Sequence, residues 1–348
     1  MEYNINDITS IVNLESSAIF KWRMTDVCNY YCSYCLHYTH EKAQEPEEDK
    51  ERCWRAIPHV RRICEEMSNN TGKKVKIQLI GGEVTVFSWL PDFLKELTID
   101  APWLKCVNIT SNFSRSNDWW HELIKSSYVP ITATMSYHPE GYKDGMEDFV
   151  NRLAELQNEK IFKYVKAETV YCEEFQHAKE FSELCKEKGI DCLIDSDLRK
   201  KGKNTINPHK YTHKEKGSRY QISFSDGTAK ELQSRNEFLK TYGECGKYID
   251  CDRFYCTMFY DHIDCSRDKI TACNPMFPVN ENSFCSACLV DDFHPLKTIF
   301  KCPKGIVGKN SRCTICGNMS LYRDGYVPEK LKVEKLEVVK KMNLAELS

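Results

Sequence analysis

No apolar run in this sequence approaches the roughly 18 residues of a membrane span, and the opening MEYNINDITS has neither the basic nor the apolar region of a secretory signal. An excess of either charge is missing too, since 49 Lys and Arg stand against 51 Asp and Glu, for a formal net charge of -2. No global field therefore recruits nucleic acid or an anionic membrane. No internal repeat is visible. These absences predict a soluble, cytoplasmic protein whose partners include neither membrane nor nucleic acid. With 348 residues, 41% hydrophobic and 29% charged, the chain is long enough for one large domain or two unequal ones.

What the sequence does have is cysteine. Nineteen thiols without an export signal do not make a disulfide framework, because the count is odd and the cytoplasm keeps thiols reduced. Metal or cluster ligation is the alternative use. Cys28, Cys32 and Cys35 form one tight group, ten more lie between Cys245 and Cys316, and the stretch between holds six. Of the latter, Cys53, Cys64, Cys106, Cys185 and Cys192 sit in helical or strand patterns as small core residues.

From Ala18 to about Asp195, short apolar strands alternate with helical patterns, the signature of βα units and a parallel sheet. Strands are expected over 19–24, 75–80, 106–110, 131–135, 161–171 and 190–194. Helices are expected over 49–67, 146–157 and 173–188, with Pro58 an obstacle in the first of these. Six units are too few for a closed eight-stranded barrel but enough for a curved open one with its site at the strand C-termini. The fold class is thus α/β, a partial (β/α)6 TIM-like barrel with a small cysteine-rich C-terminal domain. The expected organisation is an N-terminal extension 1–17, the barrel 18–198, a basic linker 199–219, the cysteine-rich domain 220–327 and a C-terminal amphipathic helix 328–348. The stretch 199–217 carries seven Lys or Arg against one acid and reads as a solvated connection, or as a flap that captures an anionic substrate.

Cys28-x3-Cys32-x2-Cys35 follows the first strand directly. Three thiolates so spaced can converge on one face of an iron–sulfur cube and leave its fourth iron without a protein ligand. A structural zinc site usually closes with four protein ligands. A zinc site completed by His37 or His40, or three merely buried cysteines, are the readings that remain open on spacing alone.

This CxxxCxxC after the first strand of a partial barrel resembles the hallmark of the radical S-adenosylmethionine enzymes, over about residues 18–195. The resemblance implies a [4Fe–4S] cluster on Cys28, Cys32 and Cys35, whose open iron chelates the methionine moiety of S-adenosylmethionine. Tyr34 matches the family's aromatic position beside the adenine. At the end of the second strand, IQLIGGEVT places Gly81, Gly82 and Glu83. Two glycines permit a close backbone approach and a carboxylate accepts from an ammonium group; the stretch looks like the family's GGE motif, with Val84 in place of the usual proline. Ser111 and Asn112 end the third strand, and Ser136 and His138 the fourth, where similar enzymes place ribose and carboxylate contacts. Glu168 and Cys172 lie on or after the fifth, in a register that alternation does not settle.

The second cysteine field opens with a hairpin pattern, Met258–Ile263 and Ile270–Thr271. Cys256-x11-Asp268-x4-Cys273 resembles the first half of the auxiliary-cluster domain called SPASM or twitch. Cys251, Cys285, Cys288, Cys302, Cys313 and Cys316 are the further candidate ligands. One or two auxiliary [4Fe–4S] clusters are implied, with Cys256, Cys273, Cys313 and Cys316 chosen for one of them. Zinc is the alternative, because two CxxC pairs 24 residues apart also fit a zinc ribbon.

The resemblance implies reductive cleavage of S-adenosylmethionine to a 5'-deoxyadenosyl radical and abstraction of a substrate hydrogen, with an electron donor such as flavodoxin or ferredoxin. A peptide or small molecule is the substrate. Maturation of a ribosomal peptide or natural product by crosslinking, epimerisation or oxidation is the first expectation, dehydrogenation or epimerisation of a sugar or nucleoside the second. A non-enzymatic zinc-binding scaffold is the reading from another class.

Overall fold

The computed structural model describes residues 7–14, 17–35, 47–172, 177–196, 211–212, 219–233, 237, 249–250, 254–257, 262–266, 269–271, 298–301, 312–313, 320–323, 325–329 and 331–333. In chain order the first elements are β1 (Ile8–Asn13), β2 (Ser17–Thr25), α1 (Glu47–Thr71), β3 (Lys74–Gly81), α2 (Leu90–Thr98), β4 (Leu104–Ser111), α3 (Asn117–Lys125), β5 (Ile131–Tyr137), α4 (Gly145–Asn158), β6 (Tyr164–Tyr171), α5 (Ala178–Glu187) and β7 (Cys192–Ser196). Then come β8 (Tyr220–Phe224), β9 (Ala229–Leu232), β10 (Ile249–Asp250), β11 (Phe254–Cys256), β12 (His262–Ser266), β13 (Lys269–Thr271), β14 (Thr298–Lys301), β15 (Arg312–Cys313), β16 (Leu321–Arg323) and β17 (Lys332–Val333). The chain divides into two compact units, one of Trp22–Arg61 and Lys76–Glu215, the other of Met1–Lys21, Arg62–Val75 and Lys216–Ser348. Among the described residues no helix is long and apolar enough to cross a membrane.

All six expected strands are present, as β2 to β7, in one parallel sheet whose order follows the sequence. A strictly sequential order has no reversal point of the doubly wound kind and curls as a partial TIM-like barrel. Among the described residues, five α-helices connect the six strands. In register, Val107 pairs with Ile131, Ala133 with Val165, and Ala167 with Cys192. β6 shows why the pattern was readable: Val165, Ala167, Thr169 and Tyr171 are buried, while Lys166, Glu168 and Val170 on the other face are half-buried.

α1 buries Cys53, Ala56, Ile57, Val60, Ile63, Cys64 and Met67, three or four residues apart, and continues through Pro58. Glu47, Glu48 and Asp49 sit in its first turn, where negative charge meets the positive end of the helix dipole. Asp49 accepts from Thr25 Oγ1 at 2.6 Å and from Arg52 at 2.7 Å, which ties the helix start to the end of β2. α2 and α3, nine residues each, were not expected. Ser116 caps α3 through the Trp119 N–H. From the basic linker, Tyr211 accepts a hydrogen bond from Ser182 through its carbonyl, and Thr212 Oγ1 accepts from Ile194 N at 3.1 Å.

In the other unit a seven-stranded sheet runs β17-β14-β11-β16-β1-β8-β9. The segment expected as an N-terminal extension supplies β1, which pairs antiparallel with β8 on one side and β16 on the other. Ile8 and Ile11 are fully buried there. The expected hairpin forms between β12 and β13, with Ser266 opposite Lys269. Cys256, however, belongs to β11, which pairs with β14 and β16. The C-terminal helix expected from Pro328 is corrected at its start, because Lys332–Val333 pair parallel with β14; residues 334–348 lie outside the described ones.

Candidate functional site

The strand ends place the site. β2 to β6 end at Thr25, Gly81, Ser111, Tyr137 and Tyr171 on the same edge of a parallel sheet, so the residues that follow share one rim. On that rim lie Cys28, Cys32 and Cys35 after β2, Gly82 and Glu83 after β3, Asn112 after β4, His138 after β5 and Cys172 after β6.

The cysteine loop is fastened from every side. Gly82 N donates to the Thr25 carbonyl at 2.8 Å and Glu83 N to the Val27 carbonyl at 2.7 Å. A Cβ on Gly81 would lie 2.4 Å from the Thr25 oxygen, and one on Gly82 2.0 Å from the Val27 oxygen. Both glycines were read from sequence as room for a ligand. The backbone they admit is the chain's own, the start of the cysteine loop. At the β5 end, Glu140 accepts from Ser33 N at 2.5 Å and from Ser33 Oγ at 2.7 Å. Tyr34 stacks on His138 with ring centres 5.9 Å apart, its hydroxyl 3.0 Å from Nδ1. Tyr30 meets the same ring edge-on and fills the space that a side chain at Gly141 would take. Cys32, Tyr34 and Cys172 form one buried cluster, with Tyr30, Cys35 and Val170 packed against it. This settles the register of Cys172, which faces the cysteine loop.

Glu83 is 1% exposed. Its Oε1 accepts from Thr85 N at 2.9 Å and Thr85 Oγ1 at 2.5 Å, and its Oε2 from Asn112 N at 2.5 Å. Burial pushes its carboxyl above the usual range, and these donors oppose that shift without cancelling it. Of about four lone-pair sites on a carboxylate, three take these donors, and the Ser111 hydroxyl is a further donor to the same carboxyl. Arg115 holds the carbonyls of Thr85 and Val86 at 2.8 and 3.1 Å, so Thr85 is itself fixed. Ser111, also buried, accepts from Phe113 N at 3.0 Å, and Phe113 takes the left-handed conformation (φ 59°) that bends the chain beyond β4.

Electrostatically, burial favours the neutral forms of Cys28, Cys32, Glu83 and His138. Burial pushes the Cys28 thiol up to about 11 and the Cys32 thiol to about 12, and in both cases a neighbouring cysteine adds to the shift. His138 is brought down to about 4, again by burial first. Glu168 would rise with burial, but Lys166 at 3.1 Å, with Asp195 and His138, brings it below the usual carboxylate range. Ser136, buried, lies opposite Glu168 in register. Among the described residues no three His, Cys, Asp or Glu side chains are grouped to hold a single metal ion. Ligands of a single ion must converge on one point, whereas in a cube each thiolate binds its own iron. Three cysteines within electrostatic reach of one another, on one loop, fit the cluster.

Of the auxiliary candidates, Cys256 and Cys313 lie in β11 and β15. Cys251, Cys273, Cys285, Cys288, Cys302 and Cys316, like His37 and His40, lie outside the described residues. Sequence reasoning missed Asn29, Thr85, Glu140 and Arg115. Their only signal was position, one or a few residues from a motif at a strand end.

No protein-family model matches the chain, and no curated protein does. Among solved structures it is similar to SuiB of Streptococcus suis bound to the precursor peptide SuiA, at 14% identity and a TM-score of 0.45, over 81% of this chain and 64% of that one. It is also similar to anSMEcpe with bound AdoMet and Cp18Cys peptide, at 17% identity and a TM-score of 0.37, over 52% of this chain and 50% of that one. A third is BtrN in complex with AdoMet and 2-DOIA, at 17% identity and a TM-score of 0.32, over 43% and 57%. The chain thus spans from 50% to 64% of the length of these three. Likenesses of this size carry no functional argument.

Proposed function

We propose that the chain is a radical S-adenosylmethionine enzyme of peptide or natural-product maturation. The observation that carries this reading is the rim itself, where a three-cysteine loop is fastened to the ends of four neighbouring strands of a parallel sheet. Cys28, Cys32 and Cys35 would hold a [4Fe–4S] cluster, leaving one iron for the cofactor. Bound together, cluster and S-adenosylmethionine supply a 5'-deoxyadenosyl radical that removes a hydrogen atom from the substrate. The chain's residues bind and position. Glu83 would accept from the cofactor's ammonium group, Tyr34 and His138 offer stacked rings for the adenine, and Ser111, Asn112 and Ser136 complete the polar rim.

The peptide class rests on the likeness of the second cysteine field to auxiliary-cluster domains. Cys256, Cys273, Cys313 and Cys316 are the proposed ligands of one such cluster, with Cys251, Cys285, Cys288 and Cys302 available for another. An external donor such as flavodoxin or ferredoxin supplies the electron.

Anaerobic reconstitution with iron and sulfide assays tests the reading. About four irons per chain supports the first cluster, and eight or more includes the second field. Cys32→Ala should lose the first cluster and all formation of 5'-deoxyadenosine from S-adenosylmethionine under reducing conditions. Unchanged cleavage by that variant, or zinc as the only metal after strictly anaerobic handling, refutes it.

A further inference from the structure

We infer that Asn112 is a positioning residue that raises the reduction potential of the cluster held by Cys28, through a hydrogen bond from its side-chain amide to the Cys28 sulfur. The inference rests on the cluster reading above and adds a role that the rim's shape alone does not assign.

Asn112 is buried, and its backbone N–H and both ends of its side-chain amide are engaged. Its backbone N–H goes to Glu83. Its Oδ1 accepts from Ser114 N at 3.1 Å. A backbone N–H can only donate, so this contact fixes which end of the amide is oxygen and turns the NH2 group the other way. The neighbouring amide agrees, because Asn29 gives its own Nδ2 to Ser114 Oγ at 2.9 Å and so presents Oδ1 to Asn112. One hydrogen of Asn112 Nδ2 goes to that Asn29 oxygen at 2.7 Å. The other is left for Cys28 Sγ, 3.9 Å from the nitrogen. Tyr30 N donates to the same sulfur at 3.4 Å.

Two N–H groups thus point at one ligand sulfur, and one of them is removable by mutation. Donors to a ligand sulfur stabilise the more negative, reduced state of a cluster and raise its potential. The contact is partly buried, so water dilutes the effect less than it would at an exposed sulfur. The bond from the Asn112 backbone to Glu83 does not involve the side chain and so remains available in Asn112→Asp and Asn112→Ala, which separates tuning of the sulfur from the fastening of Glu83.

The test uses the full chain, reconstituted anaerobically, with the cluster midpoint read by redox titration under electron paramagnetic resonance. The signal missing from Cys32→Ala identifies the first cluster. In Asn112→Asp, a carboxylate oxygen replaces the donor while Ser114 keeps its acceptor, and the midpoint should move clearly negative. Asn112→Ala, which removes the donor without adding charge, should move it less and in the same direction. An unchanged midpoint in both variants at iron content equal to the parent overturns the inference and leaves the cluster reading intact. A parent protein with no iron–sulfur signal overturns the reading itself.

Discussion

Gly82→Ala is the substitution that most directly tests why the glycine pair is there. If the pair makes room for a ligand, the metal-free, ligand-free protein should tolerate one methyl group. The structure says otherwise, because the added Cβ would lie 2.0 Å from the Val27 carbonyl oxygen, 2.5 Å from its carbon and 2.8 Å from the Asp26 carbon. All three are backbone atoms, so no side-chain rotation relieves the clash. The strands of backbone must part by about 1 Å or more to reach ordinary contact. That breaks the 2.8 Å bond from Gly82 N to Thr25 and the 2.7 Å bond from Glu83 N to Val27. Each buried backbone group left without its partner costs about 1–3 kcal/mol, and overpacking a tight contact about 1–3 kcal/mol more.

Since the cysteine loop can relax toward water, about 3–5 kcal/mol is expected, drawn from the lower half of those costs. For a unit of this size each kcal/mol lowers Tm by about 2–4 °C, so the drop is on the order of 10 °C. The assay is thermal unfolding of the apoprotein followed by near-UV circular dichroism, with limited proteolysis at the cysteine loop as a local probe. A Gly82→Ala apoprotein with the parent's Tm and an uncut loop, but with S-adenosylmethionine binding lost after reconstitution, would refute the packing argument and restore the ligand-approach reading.

Glu83→Gln puts an amide NH2 against either Asn112 N or the Thr85 donors, so the apoprotein should lose about 1–3 kcal/mol. Affinity of the reconstituted protein for S-adenosylmethionine should also fall about tenfold or more, the loss of a charge-assisted hydrogen bond; calorimetry showing both unchanged would reduce Glu83 to a spectator. His177 supplies a pH dependence with a definite sign. It is buried, lies 2.8 Å from Thr169 Oγ1 and is held down to about 4 by burial, against about 6.5 in the unfolded chain. Above pH 6.5 both states are neutral there; as pH falls toward 4 the unfolded chain takes up a proton that the folded chain refuses. About 2 kcal/mol of stability should be lost between pH 6.5 and 4.5 from this group. Denaturant unfolding of His177→Gln should show a pH slope shallower by that amount, and an equal slope in both proteins would sink the assignment.

How far the fold could be read from sequence depended on how local its causes are. The six barrel strands were legible because each buries one face beside its chain neighbour, so the pattern that forms them lies within a few residues. α1 was legible from its stripe of Cys53, Ile57, Val60, Cys64 and Met67. α2 and α3 escaped because neither nine-residue stretch is long enough to establish a period, although α2 buries Leu90, Phe93, Leu94, Leu97 and Thr98 and α3 buries Trp120 and Leu123. β1 escaped for the opposite reason. Its partners lie at 220–224 and 321–323, and nothing within ITSIVN points across more than 200 residues of chain. The same distance explains Lys332–Val333, whose apolar spacing suits a helix until β14 offers an edge to pair with.

At the site the sequence disclosed the chemistry and concealed the mechanics. CxxxCxxC and Gly-Gly-Glu are visible because ligand geometry and tight backbone contact each restrict residue types at fixed spacing. Neither pattern says what the glycines touch, and the answer is the Thr25–Val27 backbone. Asn112 was singled out as a cofactor contact from its place at a strand end. In the structure its amide is bound within the chain, to Asn29, Ser114 and Cys28. Glu140 and Thr85 were invisible, since a carboxylate after a turn or a threonine after a glutamate is common on any surface. The role of Glu140 follows only once the strand ends share one rim, because it braces Ser33 in the loop after β2, whereas Thr85 braces Glu83 two residues before it. A cluster loop set on a strand rim must be held before metal arrives, with the Cys28 and Cys32 thiols kept protonated by burial. Residues of that kind carry no signature of their own, because any short donor or acceptor at the right end of the right strand would serve.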